Sequence, residues 1–369
     1  MPRPRRAPDS APADGSAPPP LAARFARRLV AWQRAHGRHD LPWQDTRDAY
    51  RIWLSEVMLQ QTQVTTVIPY YERFTAAFPD VATLAAAPLA RVLEYWSGLG
   101  YYRRAHHLHA AARAVVAGHG GAFPTDARLL ATLPGIGRST AAAVATFAGG
   151  APAPILDGNV KRVLARHRGV DGYPGTAAVE KALWAIAEAA LPAQDAIAYT
   201  QGLMDLGATV CTQRAPRCDA CPVAADCVAR ATGRTAVLPA PRPRKPLPLR
   251  TVRMLVIERA GEILLERRDA TGIWGGLWSL PELAPEDDVV AHCRGRFGAD
   301  VAPGAELPPI AHGFTHFRLT ILPQRVAARS WPRRAEAPGL LWLTRDDALQ
   351  AALPAPVRRL LQSLPLSGE

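Results

Sequence analysis

Four cysteines crowd the span from 211 to 227: Cys211, Cys218, Cys221 and Cys227, spaced C-x6-C-x2-C-x5-C. Thiolates this close can surround one tetrahedral zinc ion or the four irons of a 4Fe-4S cube, because both take soft sulfur ligands and neither needs a histidine. The spacing is neither the common ferredoxin run nor the common zinc ribbon, so the residues alone leave both groups open. Two carboxylates offer a different chemistry. Glu56, in WLSEVMLQQTQV, is flanked by Trp53, Leu54, Val57 and Met58. Its carboxyl is therefore expected at the edge of an apolar stripe, where desolvation raises its pKa and prepares it to carry a proton. Asp157, in PILDGNVKRVLARHRG, precedes a Gly-Asn turn and a helix whose first turns carry Lys161 and Arg162. Such a carboxylate is ordinarily a helix cap. Cleavage of a glycosidic bond uses two carboxylates in unlike environments, one to protonate the leaving group and one to stay charged beside a sugar cation.

A third signal is the string LLATLPGIGRSTAAAVATFAGG. It predicts a helix ending at Leu133, a tight turn through Gly135 and Gly137, and a second helix whose start is capped near Ser139 and Thr140. Backbone N–H groups left uncovered at such a helix N-terminus suit a phosphate. Gln60, Gln61 and Gln63 add amides able to bond base edges or opened pairs.

These groups need elements to hold them. Apolar residues recur at three and four residue spacing from Leu21 to about Ala231, in LAARFARRLVAWQRAHG, YRIWLSEVMLQQTQVTTVIPYYERFTAAF, ARVLEYWSGLG, RRAHHLHAAARAVVAGHG and TAAVEKALWAIAEAAL. That is an all-α domain of short helices, 21–231, with the cysteine loop at its end. Residues 232–250 form a basic, Pro-rich linker; the stretch from Gly233 to Arg253 has six basic residues, five prolines and no acid. From 251 to 369 the texture changes to strands, in VRMLVIER, GEILLERR, GIWGGLWSLPEL, FTHFRLTILPQRV and GLLWLTRDDAL, with helices at DDVVAHCRGRFG and the C-terminus. This is an α+β domain. Cys293 on the first of those helices is expected to be a packed free thiol. Residues 1–20, rich in Pro, Ala and Arg, read as a disordered leader without a signal-peptide core.

The 369 residues carry 44 Lys plus Arg against 32 Asp plus Glu, a net charge of +12. With 48% hydrophobic residues the chain is expected to fold, which excludes a fibrous or wholly disordered protein. The excess charge favours a polyanionic partner. No apolar run long enough to span a membrane occurs, and the clustered cysteines are not a secreted disulfide scaffold, so the expected location is cytoplasmic.

HDLPWQ at 39–44, SEVMLQQTQV at 55–64, GLGYYRRAHHL at 98–108, LPGIGRSTA at 133–141, ILDGNVKRVLAR at 155–166 and MDLGATVC at 204–211, with the cysteines after them, resemble adenine DNA glycosylases of the MutY type. The resemblance implies a helix-hairpin-helix glycosylase with a 4Fe-4S cluster on Cys211, Cys218, Cys221 and Cys227. It implies a monomer in a bacterial, nucleoid-associated setting, acting on duplex DNA with adenine opposite 8-oxoguanine or guanine. By this resemblance Glu56 protonates the adenine, at N7, and guides the water, while Asp157 stabilises the sugar cation. Gln61 and Tyr101 resemble groups that wedge the stack open, Trp43 and Gln201 line the adenine pocket, Gly135 and Gly137 present the hairpin, and Lys161 contacts phosphate. Ser139 stands where some members have Tyr and where endonuclease III-like enzymes carry the lysine of Schiff-base chemistry, which implies a monofunctional enzyme. The C-terminal domain resembles a Nudix fold lacking the glutamate-rich helix, hence without a magnesium site for diphosphate cleavage. In GFTHF, Phe314, Thr315 and His316 would face 8-oxoguanine, Thr315 standing where Ser is common.

Overall fold

The computed structural model describes residues 21–243, 246–332 and 339–364, so the leader expected over 1–20 lies outside the described residues. In chain order the helices are α1 (Leu21–His36), α2 (Ala49–Leu59), α3 (Val64–Ala77), α4 (Val81–Ala86), α5 (Leu89–Trp96), α6 (Arg103–His119), α7 (Ala127–Leu130), α8 (Arg138–Gly149), α9 (Gly158–Arg168), α10 (Ala177–Ala190), α11 (Ala196–Asp205) and α12 (Val228–Ala231). A π-helical turn, Leu206–Val210, extends α11 toward the cysteines. Strands β1 (Leu249–Arg259), β2 (Glu262–Arg267), β3 (Trp278–Ser279) and β4 (Glu282–Leu283) follow, then α13 (Val289–Phe297). The chain continues with β5 (Asp300–Glu306), β6 (Ile310–Gly313), β7 (Arg318–Ser330), β8 (Leu340–Thr344), α14 (Arg345–Gln350) and α15 (Ala355–Ser363).

By contact the chain forms two compact units, one from the residues up to His39 with Ala145–Arg242, the other from Asp40–Val144 with the residues from Pro243 onward. In the first unit α1 turns Phe25, Ala26, Leu29 and Val30 inward, one face of a 3.6-residue period. Phe25 meets the His167 ring edge-on at 4.7 Å, and burial holds that histidine down at about 4. The start of the basic linker is packed rather than merely solvated: Leu238 is buried and its carbonyl accepts from Arg166 Nε at 2.8 Å.

In the second unit the run read as one helical segment from Tyr50 to Phe78 is two helices, broken at the amides between Gln60 and Gln63. Asp48 caps α2 by accepting from the Tyr50 N–H at 2.9 Å. The helix expected to end at Leu133 is the single turn α7, and Leu133 lies in the following turn.

The sheet runs β3-β2-β1-β7-β5, with β4 on β1, β6 on β7 and β8 on β2. Among the described residues only β1 and β7 pair in parallel, and Met254, Leu255, Val256 and Ile257 of β1 are all buried, as a strand covered on both faces requires. Helix α13 covers one face with Val289, Cys293 and Phe297; Cys293 is the packed free thiol expected, and burial pushes its pKa up to about 11. Two expectations need correction. GIWGGLWSLPEL is mostly a turn with two short strands, and FTHF precedes β7 as a loop. Strand β5 was hidden by Pro303 and Gly304, tolerated because among the described residues it pairs with β7 alone and does so irregularly.

Candidate active site and DNA-facing loops

Asp157 is the N-cap of α9, its Oδ1 accepting from the Val160 N–H at 2.7 Å. Such a cap stabilises a helix by about 1 kcal/mol. It also fixes the carboxylate in direction. Although the residue keeps partial exposure, burial of its carboxyl raises the pKa, opposed by the N–H groups of Val160 and Asn159 and by Arg162 and Lys161. The cap and the chemical candidate are one and the same group. Lys161 is ion-paired, Nζ to Glu180 at 2.6 Å, a partner its place in the sequence did not announce.

Further along α9, two arginines reach the cysteine loop. Arg162 donates to the carbonyls of Cys211 and Gly207 at 2.8 and 2.7 Å. Arg166 donates to Thr212 and Gln213 carbonyls at 2.6 and 2.9 Å, and its Nη1 lies 3.4 Å from Cys211 Sγ. Cys211, Cys218, Cys221 and Cys227 line one pocket together with Arg166, Arg217 and Arg230. None is in a disulfide. The Cys221 thiol is pushed up to about 11, first by burial and then by the other three sulfurs. Among the described residues no group of three or more His, Cys, Asp or Glu side chains is placed as a single-ion site. The donor set around the pocket is nevertheless four soft sulfurs beside cationic side chains, which fits an anionic iron-sulfur group in type and in number.

Gln201 is buried at 9% exposure and its amide donates to Asp205 at 2.9 Å. Asp205, 1% exposed, also accepts from Arg38 through the guanidinium at 2.7 Å and the backbone at 2.9 Å. This triad fixes the Gln201 side chain.

In the second unit Glu56 is half-buried on α2 between fully buried neighbours. Trp43 is 8% exposed and edge-on to Tyr71 at 5.4 Å. Gln61 is exposed with a left-handed φ of 59°, and Tyr101 is 49% exposed with φ 48°. Non-glycine residues hold that conformation only where the surroundings enforce it. Here the enforcer is Arg104, which sequence reasoning passed over. Its Nη1 donates to the carbonyls of Val57, Met58 and Gln60 at 3.0, 2.7 and 2.6 Å. Its Nη2 bonds Thr62 Oγ1 at 3.1 Å and the carbonyls of Leu99 and Gly100 at 3.3 and 3.1 Å. One buried guanidinium thus ties together the turns that carry Gln61 and Tyr101, at the cost of a pKa lowered to about 10 by burial.

The hairpin turn is pinned by the buried Leu133 and Ile136. Gly135 has φ +75°, and a Cβ there would meet His107 at 2.5 Å, so the fold itself demands glycine. Gly137 differs: its backbone is ordinary and open space lies before it. Ser139 is half-buried in the first turn of α8, and Gln60 donates to Thr140 Oγ1 at 3.4 Å.

Thr315 and His316 are exposed and Phe314 half-buried in the loop before β7. Phe314 stacks on the buried Phe317 at 4.5 Å and packs against Trp274 at 5.4 Å. Trp274, with φ 58°, also meets His312 at 5.6 Å. This aromatic bed holds the loop backbone and leaves the two polar side chains outward. No described helix is long and apolar enough to cross a membrane.

Residues 54–189 match the HhH-GPD superfamily of base excision DNA repair proteins, and residues 252–363 match the NUDIX domain. The chain is similar to the adenine DNA glycosylase of Buchnera aphidicola from Acyrthosiphon pisum, 32% identical over 92% of this chain and 97% of that protein. It is likewise similar to the Homo sapiens adenine DNA glycosylase, 32% identical over 92% of this chain and 73% of that one. Among solved structures a thermostable thymine-DNA glycosylase aligns with a TM-score of 0.53 at 30% identity, over 57% of this chain and 97% of that chain.

Proposed function

The chain belongs to the family of adenine DNA glycosylases, DNA N-glycosylases of the helix-hairpin-helix base-excision-repair superfamily, and from that premise we propose how it selects and cuts its substrate. The substrate is duplex DNA with adenine opposite 8-oxoguanine or guanine. Gln61 and Tyr101 enter the stack and the adenosine is extruded. Trp43 and Gln201 bound the adenine. Glu56 protonates N7 while the C1′–N9 bond breaks, and the bonding pair leaves with adenine. Asp157 faces the resulting sugar cation; its carboxylate is desolvated and held by the α9 cap, so a neighbouring positive charge is favoured without reorganisation. Water then adds at C1′ and returns its proton to the Glu56 carboxylate, leaving free adenine and an abasic site.

The observation that carries this reading is the state of Asp157, fixed by its cap and raised in pKa by burial. A monofunctional course is supported by Ser139 in place of an amine and by the engagement of Lys161 with Glu180. Cys211, Cys218, Cys221 and Cys227 would hold a 4Fe-4S cluster, which would brace the loop that α9 grips through Arg162 and Arg166. The hairpin would take a backbone phosphate at Gly137, where the open approach gives glycine a purpose the fold does not supply. Phe314, Thr315 and His316 would read the 8-oxoguanine.

The test is incubation with duplexes bearing adenine opposite 8-oxoguanine, with and without alkali. Cleavage only after alkali is expected; cleavage without it would show lyase chemistry, and intact strands in both lanes would refute the substrate.

A further inference from the structure

The corner between α5 and α6 carries Tyr101, and within the same compact unit the C-terminal domain is seated on that corner. Ser97 Oγ donates to the Leu353 carbonyl at 3.5 Å and accepts from Arg358 Nη2 at 3.2 Å. The Tyr102 hydroxyl donates to the same carbonyl at 3.3 Å and accepts from the Gly98 N–H at 3.2 Å. Arg358 is itself held, donating to the Ala351 carbonyl at 2.9 Å. A second point of attachment lies on α6, where His106 Nε2 is 3.0 Å from the Gly275 carbonyl. Gly275 follows Trp274, the ring on which Phe314 and His312 pack. The segment that beds the reading loop thus meets α6 at His106, five residues past Tyr101, while Leu353 and Arg358 meet the residues on either side of Tyr101, and the two attachments form one seam.

We propose that this seam registers the C-terminal reading loop against the Tyr101 wedge, with Ser97 and Tyr102 as positioning residues for insertion. The proposal rests on the assignment of Tyr101 as the wedge. A left-handed tyrosine on a loop between two helices relaxes unless it is held from more than one side. Arg104 holds the Leu99 and Gly100 carbonyls from within, and Leu353 with Arg358 holds Ser97 and Tyr102 from the C-terminal domain. A loop already ordered before DNA arrives loses less conformational entropy on insertion. Recognition of the lesion base and opening of the opposite strand then take place at a fixed separation.

The experiment uses the full chain and a duplex with adenine opposite 8-oxoguanine and 2-aminopurine beside the adenine, whose fluorescence rises on unstacking. In Ser97→Ala/Tyr102→Phe, unstacking is expected to slow about tenfold, with DNA affinity within about twofold and an unchanged thermal melt. Ser97→Thr, which keeps the hydroxyl, recovers what Ser97→Ala loses. In a Tyr101→Ala background the seam substitutions add no further slowing. Wild-type unstacking in the seam variant, or full multiplication of its effect with that of Tyr101→Ala, overturns the proposal. Wild-type unstacking in Tyr101→Ala alone overturns the wedge assignment itself, and the proposal with it.

Discussion

Asp157 and the pair Gln61 with Tyr101 both depart from what an isolated chain would choose, but the departures differ in kind. At Asp157 the unfavourable state is electrostatic, a carboxyl taken out of water with its pKa raised. At Gln61 and Tyr101 it is conformational, two side chains on left-handed backbone. The supports differ accordingly. Asp157 is held by the dipoles and cations of its own helix, all within five residues of it. The two loop residues are held by Arg104, acting on carbonyls as far as 47 positions away. In the proposed function, chemistry is built on a local motif and DNA distortion on a long-range one.

Within this contrast, removing the charge at Asp157 should produce the largest effect. Asp157→Asn keeps a competent cap, and single-turnover adenine release is expected to fall by about a thousandfold, roughly 4 kcal/mol, with substrate binding retained. An equal loss of binding would make the residue structural. The sign of the stability change separates charge from packing: a carboxyl whose folded-state pKa is raised favours the fold below its unfolded value and disfavours it as pH rises through the raised one. Asp157→Asn should therefore melt at or above the wild-type temperature at neutral pH.

Breaking the long-range support should cost the fold instead. Arg104→Met leaves several buried carbonyls unpaired, and a loss of about 3–5 kcal/mol in urea unfolding is expected. An unfolding midpoint near wild type would mean that Gln61 and Tyr101 hold their conformation by other means. The pH profile sharpens the electrostatic side of the contrast. If Asp157 serves the sugar cation as proposed, its protonation ends that service and the acid limb of single-turnover release should lie above the ordinary aspartate value. Arg162→Gln, which removes a lowering influence, should move that limb further up. Smallest, Thr315→Ala should shift the preference for 8-oxoguanine over guanine by about tenfold or less, the worth of one hydrogen bond; unchanged preference would remove Thr315 from the reading loop's function.

The same contrast explains what could be read from sequence. The Asp157 cap, the glycine turn at Gly135 and the cysteine loop are local patterns, legible because the residues that act together are close in the chain. Arg104 was one of two adjacent arginines in GLGYYRRAHHL, and its carbonyl partners leave no mark in their side chains. The break at Gln60–Gln63 was concealed by apolar spacing that continues through it. The Gln201–Asp205–Arg38 triad and the Lys161–Glu180 pair join separate segments, and β5 carried Pro303 and Gly304, which ordinarily signal a turn. Local order was predictable from period and caps; long-range polar pairing was not.

In the proposed reaction a carboxylic acid at Glu56 delivers the proton that lets adenine leave. Its most direct test is single-turnover release of adenine from an adenine·8-oxoguanine duplex by Glu56→Gln, an isostere that cannot supply that proton. Release should fall to the background rate while the duplex stays bound; release at the wild-type rate would remove Glu56 as the proton donor.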